Sequence, residues 1–184
     1  MLFRSPFRDV QILTPMNRSE LGVKNLNLRL QAVLNPAEAQ ETPEVARFGW
    51  SFRVGDKVMQ TRNNYTKEVF NGDVGRIRAI DLDDQELTVD FDGRALVYDF
   101  DELDELTLAY ALTIHKSQGS EYPAVIMPLH TQHFLLLQRN LLYTAVTRGR
   151  KLVVLVGSRK ALALAVQREN TSERHSALKK RLQS

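Results

Sequence analysis

Between Arg47 and Asp104 the chain follows a two-residue period that leaves few architectures open. Phe52, Val54 and Val58 alternate with other residues, Val74 to Ile80 and Leu87 to Phe91 follow, and Asp92-Gly93 joins the last of these to Ala95 to Phe100. Alternation of this kind buries one face of a strand. An Asp-Gly pair between two such runs is the signature of a type I′ hairpin turn. Asn71-Gly72 and Asp81-Leu82-Asp83-Asp84 mark two further turns. Parallel neighbours need crossovers of about a dozen residues or more, so strands this close together pair antiparallel. Several short ones in succession predict a small all-β barrel.

The flanks read differently. Val10 to Leu13 predicts a short buried strand, stopped by Pro15. Ser19 and Glu20 then open a helix on which Val23, Leu26, Leu30, Val33 and Leu34 recur at three- and four-residue spacings, predicting one apolar stripe. Asn35-Pro36 ends that helix, and Pro36 to Arg47 reads as a polar linker. Beyond Glu105, Leu106 to Leu112 is apolar and of ambiguous type, and Ala124 to Leu129 is a buried strand. Gln138 to Thr147 reads as a helix with Leu141, Leu142, Ala145 and Val146 on one face. Leu152 to Val156 has the composition of a parallel strand buried on both faces. Ser158 caps a last helix over Ala161 to Val166. The expected division is therefore an α/β unit over 1–46 and 105–184, interrupted by an all-β insert over 47–104. Such an insertion requires Arg47 and Glu105 to approach each other at the edge of the α/β unit.

The chain has no cysteine, which excludes disulfides and thiolate metal sites and gives no pointer to secretion. Among the histidines only His130 and His133 lie close in sequence, and no acidic third ligand accompanies them, so no metal site is expected. Met1-Leu2-Phe3-Arg4 does not open a signal peptide, and no apolar run approaches the about 20 residues needed to cross a bilayer. The cytoplasm is the expected location. The net charge of +3 is unevenly placed: Asp81 to Glu105 is acidic, and the chain from Arg148 through Lys179, Lys180 and Arg181 is basic. A basic end of this kind favours a polyanion partner, although it equally describes a solvated helix and tail.

Two dense polar segments carry the chemistry. The first is Thr113-Ile114-His115-Lys116-Ser117-Gln118-Gly119-Ser120-Glu121, placed between two apolar runs. Gly119 permits close backbone approach, and N–H groups in a turn can meet an oxyanion. His115 and Lys116 can meet phosphate oxygens. Gln118 and Glu121 can bond a water or a sugar hydroxyl. Read from the residues alone, the segment is equally a loop whose polar side chains satisfy local backbone groups. The second is Leu142-Tyr143-Thr144-Ala145-Val146-Thr147-Arg148-Gly149. No Gly-x-x-x-x-Gly-Lys-Ser/Thr occurs anywhere, so the chain lacks a backbone cradle for a triphosphate. Asp101-Glu102 imitates a magnesium-binding acidic pair, but it follows the Asp92-Gly93 hairpin inside the β insert and reads as a solvated edge. Arg62, Asn63, Asn64, Tyr65 and Lys67 form a basic loop with an aromatic, suited to phosphate contacts and stacking, or simply an exposed loop.

Taken together, TIHKSQGSEYPAV and NLLYTAVTRGRKLVVLVG resemble motifs V and VI of superfamily 1 helicases, specifically their RecD-like branch. TPMNRSELGVKNLNLRLQ resembles the segment around motif IV, with Ser19 standing where that resemblance implies glycine. The insert falls where these helicases carry an SH3-like subdomain, called 2B. The resemblance implies a RecA-like second motor domain (2A) that lacks its own phosphate loop. An N-terminal RecA-like motor domain, on the same or another chain, would then hold ATP and Mg2+. It implies that Arg148 reaches across the cleft to the γ-phosphate as an arginine finger. It implies that Gln118, Gly119, Glu121 and Arg18 face the nucleotide, and that Thr113 and His115 contact single-stranded DNA. Lys116, and on the insert Arg62, Asn64 and Tyr65, join them as expected DNA contacts on their own chemistry. The expected whole is a 5′–3′ DNA helicase of which this chain would not hydrolyse ATP alone. The alternative is a stand-alone nucleic-acid-binding module with the same fold and no catalysis.

Overall fold

The computed structural model of the chain describes residues 5–37, 43–133 and 136–168. The basic run from Arg174 to Arg181 lies outside them. A single helical turn, α1 (Pro6–Asp9), leads into β1 (Val10–Thr14), and α2 (Val23–Leu34) follows and stops at Asn35. The chain next forms β2 (Glu44–Arg47), β3 (Trp50–Arg53), β4 (Lys57–Gln60), β5 (Val74–Asp81), β6 (Glu86–Phe91), β7 (Arg94–Asp99) and β8 (Leu106–Leu108). It returns through β9 (Ala111–Thr113), β10 (Tyr122–Leu129), α3 (Arg139–Val146), β11 (Gly149–Gly157) and α4 (Arg159–Gln167).

β1, β9, β10 and β11 form a parallel sheet in the order β11-β10-β1-β9. β1 and β9 are neighbours, and the crossover that parallel pairing demands contains α2 and the whole all-β insert. The insert is a five-stranded antiparallel sheet in the order β7-β6-β5-β4-β8, completed by the β2–β3 hairpin. Asp92 (φ 50°) and Gly93 (φ 93°) make the left-handed turn of the β6–β7 hairpin, as their sequence requires. The ambiguous apolar run divides between the two sheets: Leu106–Leu108 pairs with β4, and Ala111–Thr113 pairs with β1, with only Ala109 and Tyr110 between. The barrel ladders thus extend from Glu44 to Leu108, slightly beyond both ends of the 47–104 interval, and part of the expected linker is strand β2. Arg47 lies over the Phe100 ring at 5.8 Å, where the turn leading to Glu105 begins.

Two expectations are corrected. α2 buries only part of its apolar stripe: Val23, Leu26 and Leu30 are half-buried, with Leu30 against the barrel core. Val33 is 77% exposed and Leu34 is also exposed, while Asn27 and Gln31 are buried. The reason is the edge strand β9, whose outward backbone groups need partners. Asn27 supplies both, donating to the Ala111 carbonyl and accepting from the Ala111 N–H, each at 2.9 Å. Two buried amides, Asn27 and Gln31, therefore take the centre of a face expected to be hydrocarbon. β11, expected to be buried on both sides, is the other edge of the sheet, and Leu152, Val154, Leu155 and Val156 are exposed. Among the described residues no strand pairs with its outer side.

The two cores interlock. Met59 of β4 packs in the core of the parallel sheet with Leu13, Leu112 and Met127, while Tyr110 packs in the barrel core with Phe52 and Leu108. Asp56, fully buried, joins the units. It accepts from Gln31 (2.6 Å) and Asn35 (2.7 Å) of the α2 segment, from the Tyr110 hydroxyl (2.8 Å) and from the Arg53 N–H (2.8 Å). Beside it, Lys57 donates to the Gln11 amide oxygen at 2.8 Å and to the Val10 carbonyl at 3.3 Å.

Candidate nucleotide and single-strand interface

The loop from Thr113 to Glu121 leaves the C-terminal end of β9 and folds on itself. The N–H groups of Lys116, Ser117, Gln118 and Ser120 donate to Thr113 Oγ1, Thr113 O, His115 O and Ser117 O. Ser117 is buried, with its hydroxyl on the Ile114 carbonyl at 2.7 Å. These four N–H groups are engaged within the loop, so the expected backbone cradle for an oxyanion is not built from them. The side chains face outward instead: His115, Lys116, Gln118 and Glu121 are exposed. Gly119 has φ +87°, a conformation that favours glycine, and a β-carbon there would meet nothing within 4 Å. The loop therefore presents open space at its tip.

Arg148 closes one flank of this loop. α3 and the turn into β11 carry its half-buried guanidinium to the Ser120 carbonyl (3.2 Å), the Thr144 carbonyl (3.2 Å) and Thr147 Oγ1 (3.2 Å). The Arg148 carbonyl in turn accepts from the Tyr122 N–H at 2.8 Å. These side-chain partners are neutral oxygens, so the guanidinium is oriented without being neutralised. Glu121 pairs with Arg150 at 2.7 Å on the exposed surface, an occupation that the sequence did not foretell.

Arg18, Thr113 and Lys116 meet elsewhere, in a groove of about 250 Å3 at the junction of barrel and sheet, also lined by Asn17, Lys24, Trp50, Met59 and Leu112. Arg18, expected at the nucleotide, lines this groove together with two expected DNA contacts. The loop that holds it is pinned by Gly22, where a β-carbon would stand 2.6 Å from the Arg18 carbonyl carbon. Ser19 in the same loop has φ +103°, at the position where glycine was implied. Trp50 and Lys24 escaped the sequence reading. The available signal was the aromatic and basic hairpin Arg47-Phe48-Gly49-Trp50, which holds the chain's only tryptophan.

The basic loop of the barrel is less open than its sequence suggested. Arg62 pairs with Asp104 at 2.9 Å, Asn64 donates to Glu105 at 3.2 Å, and Lys67 pairs with Glu102. What remains available is aromatic: Tyr65, 76% exposed, meets exposed Phe70 edge-on at 6.0 Å between centroids. Asp101 and Glu102 sit in a helical turn capped by Asp99, and Glu102 is occupied by Lys67. Among the described residues no three His, Asp or Glu side chains converge as a metal set. No helix among them is long and apolar enough to cross a membrane. A larger cavity of about 640 Å3 lies between α1, the barrel and Ser120, but Asp73, Asp90 and Asp92 share its wall with Arg8, Arg76 and Arg78, so it offers no one-signed field to a polyanion.

A parallel α/β sheet interrupted by a small barrel, with an oriented arginine against the loop after β9, defines a RecA-like helicase motor domain with an SH3-like insert. Comparison with known proteins agrees. Residues 26–91 match the ATP-dependent RecD-like DNA helicase SH3 domain, and residues 108–156 match the UvrD-like helicase C-terminal domain. The chain is 42% identical over 175 residues to the ATP-dependent RecD2 DNA helicase of Deinococcus radiodurans, covering 95% of this chain and 24% of that protein. It is 36% identical over 163 residues to the RecBCD enzyme subunit RecD of Mycobacterium tuberculosis, covering 89% of this chain and 27% of the relative. A Pif1 helicase from Bacteroides, solved with ADP-AlF3 and single-stranded DNA, superposes over 86% of this chain and 42% of its own with a TM-score of 0.59. At 22% identity that likeness speaks for the fold alone. The chain belongs to the RecD-like branch of superfamily 1 helicases and corresponds to its SH3-bearing C-terminal motor portion. It spans about a quarter of the length of the curated relatives.

Proposed function

We propose that this chain is the second motor domain of an ATP-dependent 5′–3′ DNA helicase, with 1–46 and 105–184 as the motor unit and 47–104 as its insert. It supplies the arginine finger and part of the single-strand track, while a first RecA-like motor domain holds the triphosphate and Mg2+. The observation that carries this reading is the posture of Arg148, half-buried against Ser120 and bonded, among the described residues, only to neutral oxygens. Phosphoryl transfer spreads negative charge over the equatorial oxygens, and a fixed guanidinium offsets it; a lysine lacks the planar fork. The tip of Gly119 leaves room for the nucleotide beside that arginine, with Gln118 and Glu121 on the same loop. Glu121 would first have to exchange Arg150 for a sugar hydroxyl. In this reading the first motor domain supplies the phosphate loop that holds magnesium, so ATP hydrolysis requires both domains. On the Gly119 loop, exposed His115 and Lys116 contact the strand, and Thr113, largely buried with its hydroxyl accepting from the Lys116 N–H, contacts it at the groove. Arg18 joins them at the junction groove, and Tyr65 serves as the barrel's aromatic contact.

The test is reconstitution with the N-terminal motor domain of a RecD-like helicase. The expected outcome is DNA-stimulated ATPase that neither part shows alone, lowered by roughly 10³-fold or more in Arg148→Ala. Undiminished ATPase in that variant would remove the finger assignment.

A further inference from the structure

The junction groove supports a more specific role, which rests on the single-strand reading above. We propose that it is a slot for one nucleobase of the bound strand, stacked on Trp50, with the neighbouring phosphates held by Lys24 and Lys116. Three features of the groove argue for this occupant. The lining includes three cations, Arg18, Lys24 and Lys116, and no carboxylate. None of the three has a carboxylate partner among the described residues, whereas Arg62 and Lys67 on the barrel loop are both paired. The floor is apolar, built from Val23, Met59, Leu108 and Leu112.

A bare phosphate has no use for that floor, and an apolar protein segment has no use for three uncompensated cations. A nucleotide within a strand needs both, because it joins an uncharged ring to a charged backbone. A base offers its π-face to an aromatic irrespective of sequence. The size agrees: about 250 Å3 accommodates a base and excludes a duplex. Lys24 is well placed to bridge the two walls, its Nζ 3.9 Å from where a β-carbon on Gly49 would stand, at the turn preceding Trp50. The slot also draws on both units, with Trp50 and Met59 from the barrel strands and Leu112 and Thr113 from the parallel sheet. A base seated there touches motor and insert at once.

Because Trp50 is the chain's only tryptophan, its emission is a built-in reporter. The experiment titrates this chain with an oligo-deoxythymidine strand and with an equally long strand of abasic sites. Tryptophan emission and the anisotropy of labelled strands are read in parallel. The expected result is quenching by the thymidine strand only, with the abasic strand bound about tenfold more weakly. Trp50→Ala should weaken thymidine binding by a similar factor and Trp50→Phe should restore most of it. Lys24→Ala should weaken both strands alike. Should Trp50→Ala fail to fold, the comparison of the two strands on the wild-type chain decides alone. Binding without any emission change, or equal affinity for the two strands, overturns the slot and leaves the single-strand reading standing. Failure of both strands to bind overturns the two together.

Discussion

The barrel meets the motor sheet in two places that treat charge in opposite ways. At the buried junction, Asp56 accepts four hydrogen bonds from both units, and Lys57 finds two acceptors on β1. In the groove, Arg18, Lys24 and Lys116 stand over an apolar floor with no carboxylate among the described residues to answer them. A buried charge is tolerated only where its bonds are made, and breaking one partner then costs heavily. An exposed cation adds little to stability, and that leaves it free to serve a ligand. The barrel is thus clamped to the motor domain by one set of polar groups while another set remains open beside it. A rigid insert is what a groove with walls from both units needs, since a loose barrel would let the walls drift apart.

The largest effect should come from Asp56→Ala. That change leaves the Tyr110 hydroxyl unpaired in the interior and takes one acceptor each from the amides of Gln31 and Asn35, which keep the Ser51 and Val54 carbonyls, at an expected loss of about 3 kcal/mol in urea unfolding. Lys24→Ala, in the groove, should change stability by less than about 0.5 kcal/mol. Equal losses in the two variants would erase the distinction between clamp and groove.

Next in size is a pH effect at Lys57. Burial lowers its pKa from 10.5 to about 8. Between these values the unfolded chain still binds a proton that the folded chain has released, so stability rises with pH over that window. Burial also raises the pKa values of Tyr98 and Tyr110, so above pH 10 the unfolded tyrosines ionise first and stability turns down. Lys57 should therefore contribute a gain of about 2 kcal/mol between pH 8 and 10. Lys57→Met should flatten the rise, as followed by urea midpoints across that range.

How much of this was legible in the sequence depended on whether the cause was local. The strands of the insert and the Asp92-Gly93 turn follow from alternation and backbone conformation within a few residues, and they appear where expected. The cap from Ser158, which accepts from the Ala161 N–H at 3.1 Å, is equally local. Leu106 to Leu112 could not be divided in advance, because an apolar run does not record which of two sheets each half will join. α2 misled because hydrophobic periodicity is blind to an amide that completes a sheet edge, as Asn27 does for Ala111. Part of the groove was visible as motif residues, Arg18, Thr113 and Lys116. Trp50 and Lys24 reach the same place only because the barrel docks against α2, and no local pattern encodes that docking.

A smaller gain is expected in the loop that carries Arg18 into the groove. Ser19 holds φ +103°, a conformation that costs a residue with a side chain about 1 kcal/mol or more. Glycine relieves that strain but is freer in the unfolded chain, which takes back part of the gain. Ser19→Gly should therefore raise stability by only about 0.5 to 1 kcal/mol, measurable as a small upward shift of the urea midpoint. Loss of stability would mean that Ser19 makes a compensating contribution that glycine cannot replace. A gain accompanied by weaker strand binding would show that the strained turn holds Arg18 in place, so that groove geometry, like the clamp beneath it, is maintained against a conformational cost.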